Sequence, residues 1–279
     1  MGNYKKAIAK KFSELKDLWK IIYDPKQEKI SKCLSLDMIK RKTAGFDLLD
    51  KYTNKGSLYV LDAGCGPGIF MEEAMNRGHH VVGVDISELM ILQARNATKQ
   101  KNGQITLCVQ GDIEYLPFKN DSFHAIFCMG VLSYLPEDAE CLRELHRVAK
   151  KDGFVIVGLP NMLRLAMLFD PYYYLQGFIF LWKKVFRDGN NGNESVNIDD
   201  FRRYFVWQLP VLFRSFNLRI LEVINIGFGP MTIWKKEIMP EKFSLRVSQL
   251  LEKLVTKRSF FLLKAVANHW VVCLQKLQD

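Results

Sequence analysis

The chain has 279 residues, 48% of them hydrophobic and 25% charged, with 40 basic against 30 acidic side chains and a formal net charge of +10. That length suits one large α/β domain, or one domain carrying an inserted lid, and the composition excludes wholesale disorder. The positive balance favours anionic partners, whether nucleic acid, anionic lipid or an acidic substrate, and equally describes a solvated basic surface.

Six cysteines, Cys33, Cys65, Cys108, Cys128, Cys141 and Cys273, include no C-x-x-C pair. Cys65, Cys108 and Cys128 fall in or beside apolar runs, where free cysteine behaves as a small hydrophobe. Neither a disulfide framework nor a metal site is expected, and a reducing compartment follows. Met1 to Lys20 is basic but lacks the apolar core of a secretory signal. Lys6 stands where a myristoylation pattern requires Ser or Thr. The expected location is cytoplasmic, with a peripheral membrane contact left open.

Residues 1–54 read as an N-terminal helical segment. Phe12, Leu15, Leu18, Trp19 and Ile22 follow a 3.6-residue period, Pro25 interrupts it, and a second helix is expected over Leu34–Tyr52 before Asn54-Lys55-Gly56. From residue 55 to the end the pattern is that of a doubly wound α/β domain. Expected strands are Leu58–Ala63, His80–Asp85, Ile105–Gln110, His124–Met129 and Phe154–Leu159, alternating with helices Ile69–Arg77, Glu88–Lys99 and Ala139–Lys150. Residues 161–216 interrupt this as an inserted lid or substrate region. They begin with the aromatic run over 165–186, turn at Asp188–Asn193, continue through a helix-like segment with Asp199, Phe201, Arg202 and Tyr204, and end on a helix near Leu209–Phe216. Arg219–Ile226 and Ala265–Gln275 read as closing strands, and the apolar Ser259–Leu263 run as strand rather than membrane anchor. The chain shows no internal repeat.

The sharpest local feature is Val60-Leu61-Asp62-Ala63-Gly64-Cys65-Gly66-Pro67-Gly68 at a strand-to-helix junction. Glycines there allow a sharp turn and a close ligand approach. The spacing is G-x-G-x-G rather than the dinucleotide fingerprint, no phosphate loop of the G-x-x-x-x-G-K type is present, and Asp62 would repel a diphosphate but suits an ammonium. Asp85 ends the second strand, where it can accept from ribose hydroxyls. Asp112 follows the third, where it can accept from an adenine amino group. Each is alternatively a helix N-cap or turn residue.

The run VLDAGCGPG resembles motif I of the class I S-adenosylmethionine-dependent methyltransferases. VVGVDISELMILQARN, GDIEYLPFKNDSFHAIFCMGVLSYLPE and LRELHRVAKKDGFVIVGLPN resemble the segments that follow it in the broad ubiquinone and menaquinone methyltransferase-like subgroup. The resemblance covers about residues 45 to 161. It implies a Rossmann-like, seven-stranded class I methyltransferase fold and S-adenosylmethionine as cofactor, with S-adenosylhomocysteine as product. The positions matching Asp62, Gly64, Gly66 and Gly68 surround the methionine moiety, Asp85 holds the ribose, and Asp112 and Ile113 flank the adenine. Ile86 and Met129 complete the cofactor-binding set. His124 and Tyr134 depart from the family pattern. His124, near a strand start, reads as structural, whereas Tyr134 leaves the fourth strand near the expected methyl group.

Such chemistry needs an acceptor held in line with the methyl–sulfur bond in a site that excludes water, and a base if the acceptor carries a proton. Tyr134 and Asn161 are the expected catalytic candidates, lining the acceptor pocket with the insert; no base stands out and no metal set is visible. The insert reads as a lid, as an interfacial segment facing anionic lipid through Lys183, Lys184 and Arg187, or as a partner surface. Its longest uncharged stretch, Pro171 to Trp182, is too short to span a bilayer. The expected reaction is O- or C-methylation of a small-molecule or lipid-linked acceptor. RNA methylation is the rival enzymatic reading, disfavoured by the absence of an appended RNA-binding module and of an Asn-Pro-Pro-Tyr type motif. A catalytically silent methyltransferase-like partner subunit is the non-enzymatic one.

Overall fold

The computed structural model describes residues 3–24, 26–53, 56–98, 105–165, 170–175, 178, 202–230, 232–234, 236–255 and 263–277. Three helices come first: α1 (Asn3–Glu14), α2 (Lys16–Ile21) and α3 (Lys32–Tyr52). Alternation then begins with β1 (Tyr59–Ala63), α4 (Ile69–Asn76), β2 (His80–Asp85), α5 (Glu88–Ala97), β3 (Thr106–Gln110), β4 (Phe123–Met129), α6 (Ala139–Val148) and β5 (Ala149–Pro160). The chain closes with α7 (Leu209–Arg214), β6 (Leu218–Ile226), a short hairpin β7 (Thr232–Ile233) and β8 (Lys236–Glu237), α8 (Glu241–Val255) and β9 (His269–Lys276). The first four strands lie within one residue of their expected bounds. β5 starts earlier, because Ala149 already pairs with Phe123.

Seven strands form one sheet in the order β3-β2-β1-β4-β5-β9-β6. The first five are mutually parallel, and β9 inserts antiparallel between β5 and β6. Both faces are covered, which is why the strands read as apolar runs. Strand alternation sends Ile126 and Cys128 of β4 to one face, where they meet Leu142 and Leu145 of α6 and Phe213 of α7. It sends Ala125 and Phe127 to the other, where Phe127 packs with Phe46 of α3 and Phe70 of α4 at ring-centroid distances of 4.8 and 5.4 Å. α3 is thereby clamped to the sheet; truncating a buried phenylalanine of this kind costs about 3–5 kcal/mol.

Several expectations shift. The strand expected from Ala265 begins at His269, since residues 263–266 form a 3-10 turn. Arg202 and Tyr204 are extended rather than helical. Tyr204 bridges to Asn161, its N–H donates to the Pro160 carbonyl at 3.1 Å, and its hydroxyl donates to Asp138 at 2.9 Å. Asp199 and Phe201 lie outside the described residues, as does most of the 165–186 run. The end of the expected insert is part of the main fold, because α7 buries Leu209 and Phe213 against β6. α8 is not among the expected elements. It packs on α3 through Ser244, whose hydroxyl meets the Cys33 thiol, while Ser248 accepts the Phe228 N–H. Among the described residues, no helix is long and apolar enough to cross a membrane.

Candidate active site

The strand order reverses between β1 and β4, the point at which open α/β sheets bind ligands beyond their carboxyl ends. A cavity opens there. The ends of β1 to β4 form its floor, and residues of α1, α2 and α3 form its cover.

At the end of β1, Gly64 has φ of +81°, and a Cβ there would lie 2.3 Å from Val131 Cγ2. Backbone and neighbour both exclude a side chain. The Gly64 and Cys65 N–H groups donate to the Val84 carbonyl at 2.7 and 3.0 Å, tying the loop to β2. Gly66 N–H donates to Asp85 Oδ2 at 2.9 Å, and Ser87 N–H donates to Asp85 Oδ1 at 2.8 Å. The Asp85 carboxylate is thus fixed in direction, while burial pushes its protonation upward against those bonds. Gly68 does not line the cavity. It starts α4, and a Cβ there would sit 2.9 Å from Ala94 Cα, so it serves the close packing of α4 on α5.

Asp62 lines the cavity with only 3% of its surface exposed. Burial, and after it the Asp85 charge, pushes its carboxyl up to about 8. Its Oδ2 has no hydrogen-bond partner among the described residues, a state that costs about 1–3 kcal/mol. Asp112 directs Oδ1 to the Glu114 N–H at 3.0 Å and Oδ2 to Lys5 Nζ at 2.5 Å, and Lys5 also pairs with Glu114. Ile86, Ile113 and Met129 line the same space.

Sequence reasoning missed the cover. α1 lies across the cavity: the Tyr4 hydroxyl donates to the Tyr134 carbonyl at 2.5 Å, and the Phe12 ring stands edge-on to Tyr134 at 5.0 Å. Ser13 and Ser87 hydroxyls meet at 2.9 Å. Ile8, Trp19, Tyr23 and Arg41 complete this wall. Arg41 is 6% exposed. Its Nη2 donates to the Tyr23 hydroxyl at 2.8 Å, its Nη1 lies 3.0 Å from where a Gly130 Cβ would stand, and its Nε has no partner among the described residues. The sequence signals an apolar face through Phe12 and Trp19 at helical spacing, but not what that face covers.

Of the two expected catalytic residues, the structure brings only Tyr134 to the cavity, from the 3-10 turn Leu132–Tyr134. Burial raises its phenol, opposed by the charges of Arg41 and Arg203. Asn161 is displaced from this role. It is fully buried, its amide donates to the Ala265 and Ala267 carbonyls at 2.7 Å each, and its Oδ1 accepts the Leu163 N–H at 2.9 Å. Both amide hydrogens are consumed, and full burial keeps the remaining lone pair of Oδ1 from a substrate. His124 sits at the far end of β4, accepting the Tyr59 N–H at Nδ1 and meeting Lys150 Nζ at Nε2. The cavity can hold a ligand that offers an ammonium to Asp62, a carboxylate to Arg41 and polar hydrogens to Asp85.

The methyltransferase-domain family matches residues 61–157. The ubiquinone biosynthesis O-methyltransferase of Coxiella burnetii (strain Dugway 5J108-111) is 31% identical over 179 residues, which are 64% of this chain and 70% of that protein. The malonyl-[acyl-carrier protein] O-methyltransferase of Erwinia pyrifoliae is 35% identical over 116 residues; the match spans only 42% of either chain. In fold, the chain is similar to magnesium protoporphyrin IX methyltransferase from Synechocystis PCC 6803, solved with bound SAH, at a TM-score of 0.64 and 15% identity over 98% of this chain and 100% of that one. Strand order, ligand crevice and these similarities agree: the chain belongs to the class I S-adenosylmethionine-dependent methyltransferases, with S-adenosylmethionine as its cofactor.

Proposed function

We propose that this chain methylates a small-molecule or lipid-linked acceptor, at oxygen or carbon, in the cavity between α1 and the ends of β1 to β4. S-adenosylmethionine supplies a methyl group already activated on sulfur, which passes to the acceptor by in-line displacement. The residues fit this cofactor on two groups of the cavity wall that have no partner among the described residues, Asp62 Oδ2 and Arg41 Nε. Asp62 would hold its ammonium and Arg41 its carboxylate, each giving a buried polar group a partner. Asp85, fixed by Gly66 and Ser87, would accept from the ribose hydroxyls. Asp112 and Ile113 would flank the adenine, with the Asp112 carboxylate already steadied by Lys5. Ile86 and Met129 would add apolar contact, and Gly64 and Gly66 would let the ligand approach.

Catalysis then rests on positioning and exclusion of water. Tyr134, pressed against Phe12 and tied through its carbonyl to Tyr4, would face the acceptor at the mouth of this space. α1 would act as the cover that the insert was expected to supply. The exposed aromatic side chains of Tyr174 and Phe178 support a lipophilic acceptor or a peripheral contact with membrane. The names of the curated relatives, O-methyltransferases of ubiquinone biosynthesis and of malonyl-[acyl-carrier protein], favour oxygen as the accepting atom.

The observation that carries this reading is the convergence of Asp62, Asp85 and Asp112 from three successive strand ends on one covered cavity. It is tested by incubating the protein and methyl-labelled S-adenosylmethionine with extract and membranes of its source. Label in the organic-extractable fraction, lost with Asp85→Ala, is the expected result. Label confined to nucleic acid would overturn it.

A further inference from the structure

The carboxyl edge of the sheet, where the cavity opens, carries exposed cations at one end. α1 lies along it, reaching the exits of β2, β3 and β4 through the Ser13–Ser87, Lys5–Asp112 and Tyr4–Tyr134 contacts. The helix holds four lysines against one glutamate, with no acid in its first turn. A helix N-terminus favours acids and disfavours cations, so these lysines do not serve the helix itself. Lys5 is answered by Asp112 and Glu114. Lys6 and Lys10 stand four residues apart, a spacing at which like charges repel on a helix surface. Both are exposed, and neither forms an ion pair among the described residues.

The other end of the same edge is apolar. Ile226, the last residue of β6, pairs with His269, which pairs in turn with Pro160 at the carboxyl end of β5. The chain therefore leaves β6 on the side of the cavity and enters the β7–β8 hairpin six residues later. Thr232 Oγ1 donates to Asp170 Oδ2 and the Trp234 N–H to Asp170 Oδ1, both at 2.7 Å, and Asp170 is fully buried. Those bonds hold Trp234 at φ of +51°, a left-handed conformation uncommon for a bulky residue. Ile233, Trp234, Ile238 and Phe243, the last at the start of α8, are each between 40% and 54% exposed. A single exposed hydrophobe needs no cause, but four within eleven positions form a contact surface. Lys236, opposite Ile233 in the hairpin, and Lys242, next to Phe243, are exposed among them.

We propose that this edge docks on an anionic membrane surface, with Lys6 and Lys10 against the headgroups, the Trp234 hairpin in the interface and the cavity between them opening toward the lipid. Cations close to such a surface and aromatic side chains at headgroup level are the two elements of interfacial binding. The net charge of +10 acts in the same direction. Nucleic acid answers the lysines but leaves Ile233 and Ile238 in water. The docking surface deepens the reading of a lipid-linked acceptor, on which its purpose rests: the acceptor reaches the cavity from the bilayer without crossing water.

The test is flotation of the full chain with vesicles of phosphatidylcholine alone and of phosphatidylcholine with about a third phosphatidylglycerol, without methyl donor. Affinity is expected to be at least about tenfold higher for the anionic vesicles and to fall as salt is raised. Lys6→Gln combined with Lys10→Gln should weaken that binding about tenfold or more. Trp234→Asn, chosen because asparagine tolerates a positive φ, should weaken it at least about fivefold. Both variants should keep wild-type affinity for S-adenosylhomocysteine, which shows that the fold is intact. Equal binding to the two vesicles, absence of binding, or binding untouched by both variants would overturn the docking surface. So would tighter binding to duplex RNA than to the anionic vesicles, or a stable dimer that Trp234→Asn dissociates. Docking as expected, with methyl label confined to water-soluble products, would support the surface and overturn the lipid-linked acceptor instead. Label in the organic fraction without docking would do the reverse.

Discussion

Lys5 Nζ lies 2.5 Å from Asp112 Oδ2, joining the first turn of α1 to the exit of β3 across the mouth of the cavity. Lys5 also pairs with Glu114, so one cation bridges two acids, each partly shielded from solvent. Pairs of this exposure are worth about 1 kcal/mol or less, enough to bias a cover without locking it. Lys5→Met is expected to speed S-adenosylhomocysteine release about fivefold while leaving the unfolding midpoint nearly unchanged. Trp19, in the cavity wall, provides the fluorescence signal for a stopped-flow measurement. An unchanged release rate would show that α1 does not move with the ligand.

Asp62 ties ligand binding to protons. Its folded-state pKa of about 8 lies above the ordinary carboxylate value, through burial and the nearby Asp85. A raised carboxyl contributes stability that is fully present below the unfolded value, near 4, and is lost as pH rises through about 8. The ligand-free chain should therefore lose stability across that window, less so as Asp62→Asn. An ammonium beside Asp62 favours the ionised form, so binding at pH 7 should release a proton from this group. Calorimetry of S-adenosylhomocysteine binding in buffers of different ionisation enthalpy reads that release, which should vanish in Asp62→Asn.

Tyr134 and Asn161 should separate cleanly. Tyr134→Phe keeps the edge-on contact with Phe12, so donor affinity should hold while kcat on the acceptor found by labelling falls at least tenfold. Asn161→Ala removes three hydrogen bonds of a buried side chain and should cost roughly 2–4 kcal/mol of stability with donor affinity preserved. Thermal unfolding and binding measured on the same samples distinguish the two patterns.

That contrast shows what the sequence could reveal. The cofactor half was legible because its parts are local: a glycine turn after one strand and acids at the ends of the next two, all set by the α/β alternation. Asn161 sits at an equally suggestive strand exit. Its side chain is nevertheless consumed by the Ala265 and Ala267 carbonyls, more than a hundred residues away, which reach it only once β9 has inserted beside β5. The cover was illegible for a related reason. Periodicity shows that Phe12 and Trp19 share an apolar face but not that this face covers the ends of β1 to β4. Arg41, within the helix expected over Leu34–Tyr52, acquires its meaning only when α3 docks through Phe46 on Phe127.

The most direct measurement is equilibrium binding of S-adenosylhomocysteine to the purified chain and to Asp85→Ala. One ligand per chain, weakened about a hundredfold or more when the two ribose-facing bonds to a buried carboxylate are removed, is the expected result. Binding of equal strength by both proteins would show that the cavity at the β1–β4 switch point is not where this chain holds its methyl donor.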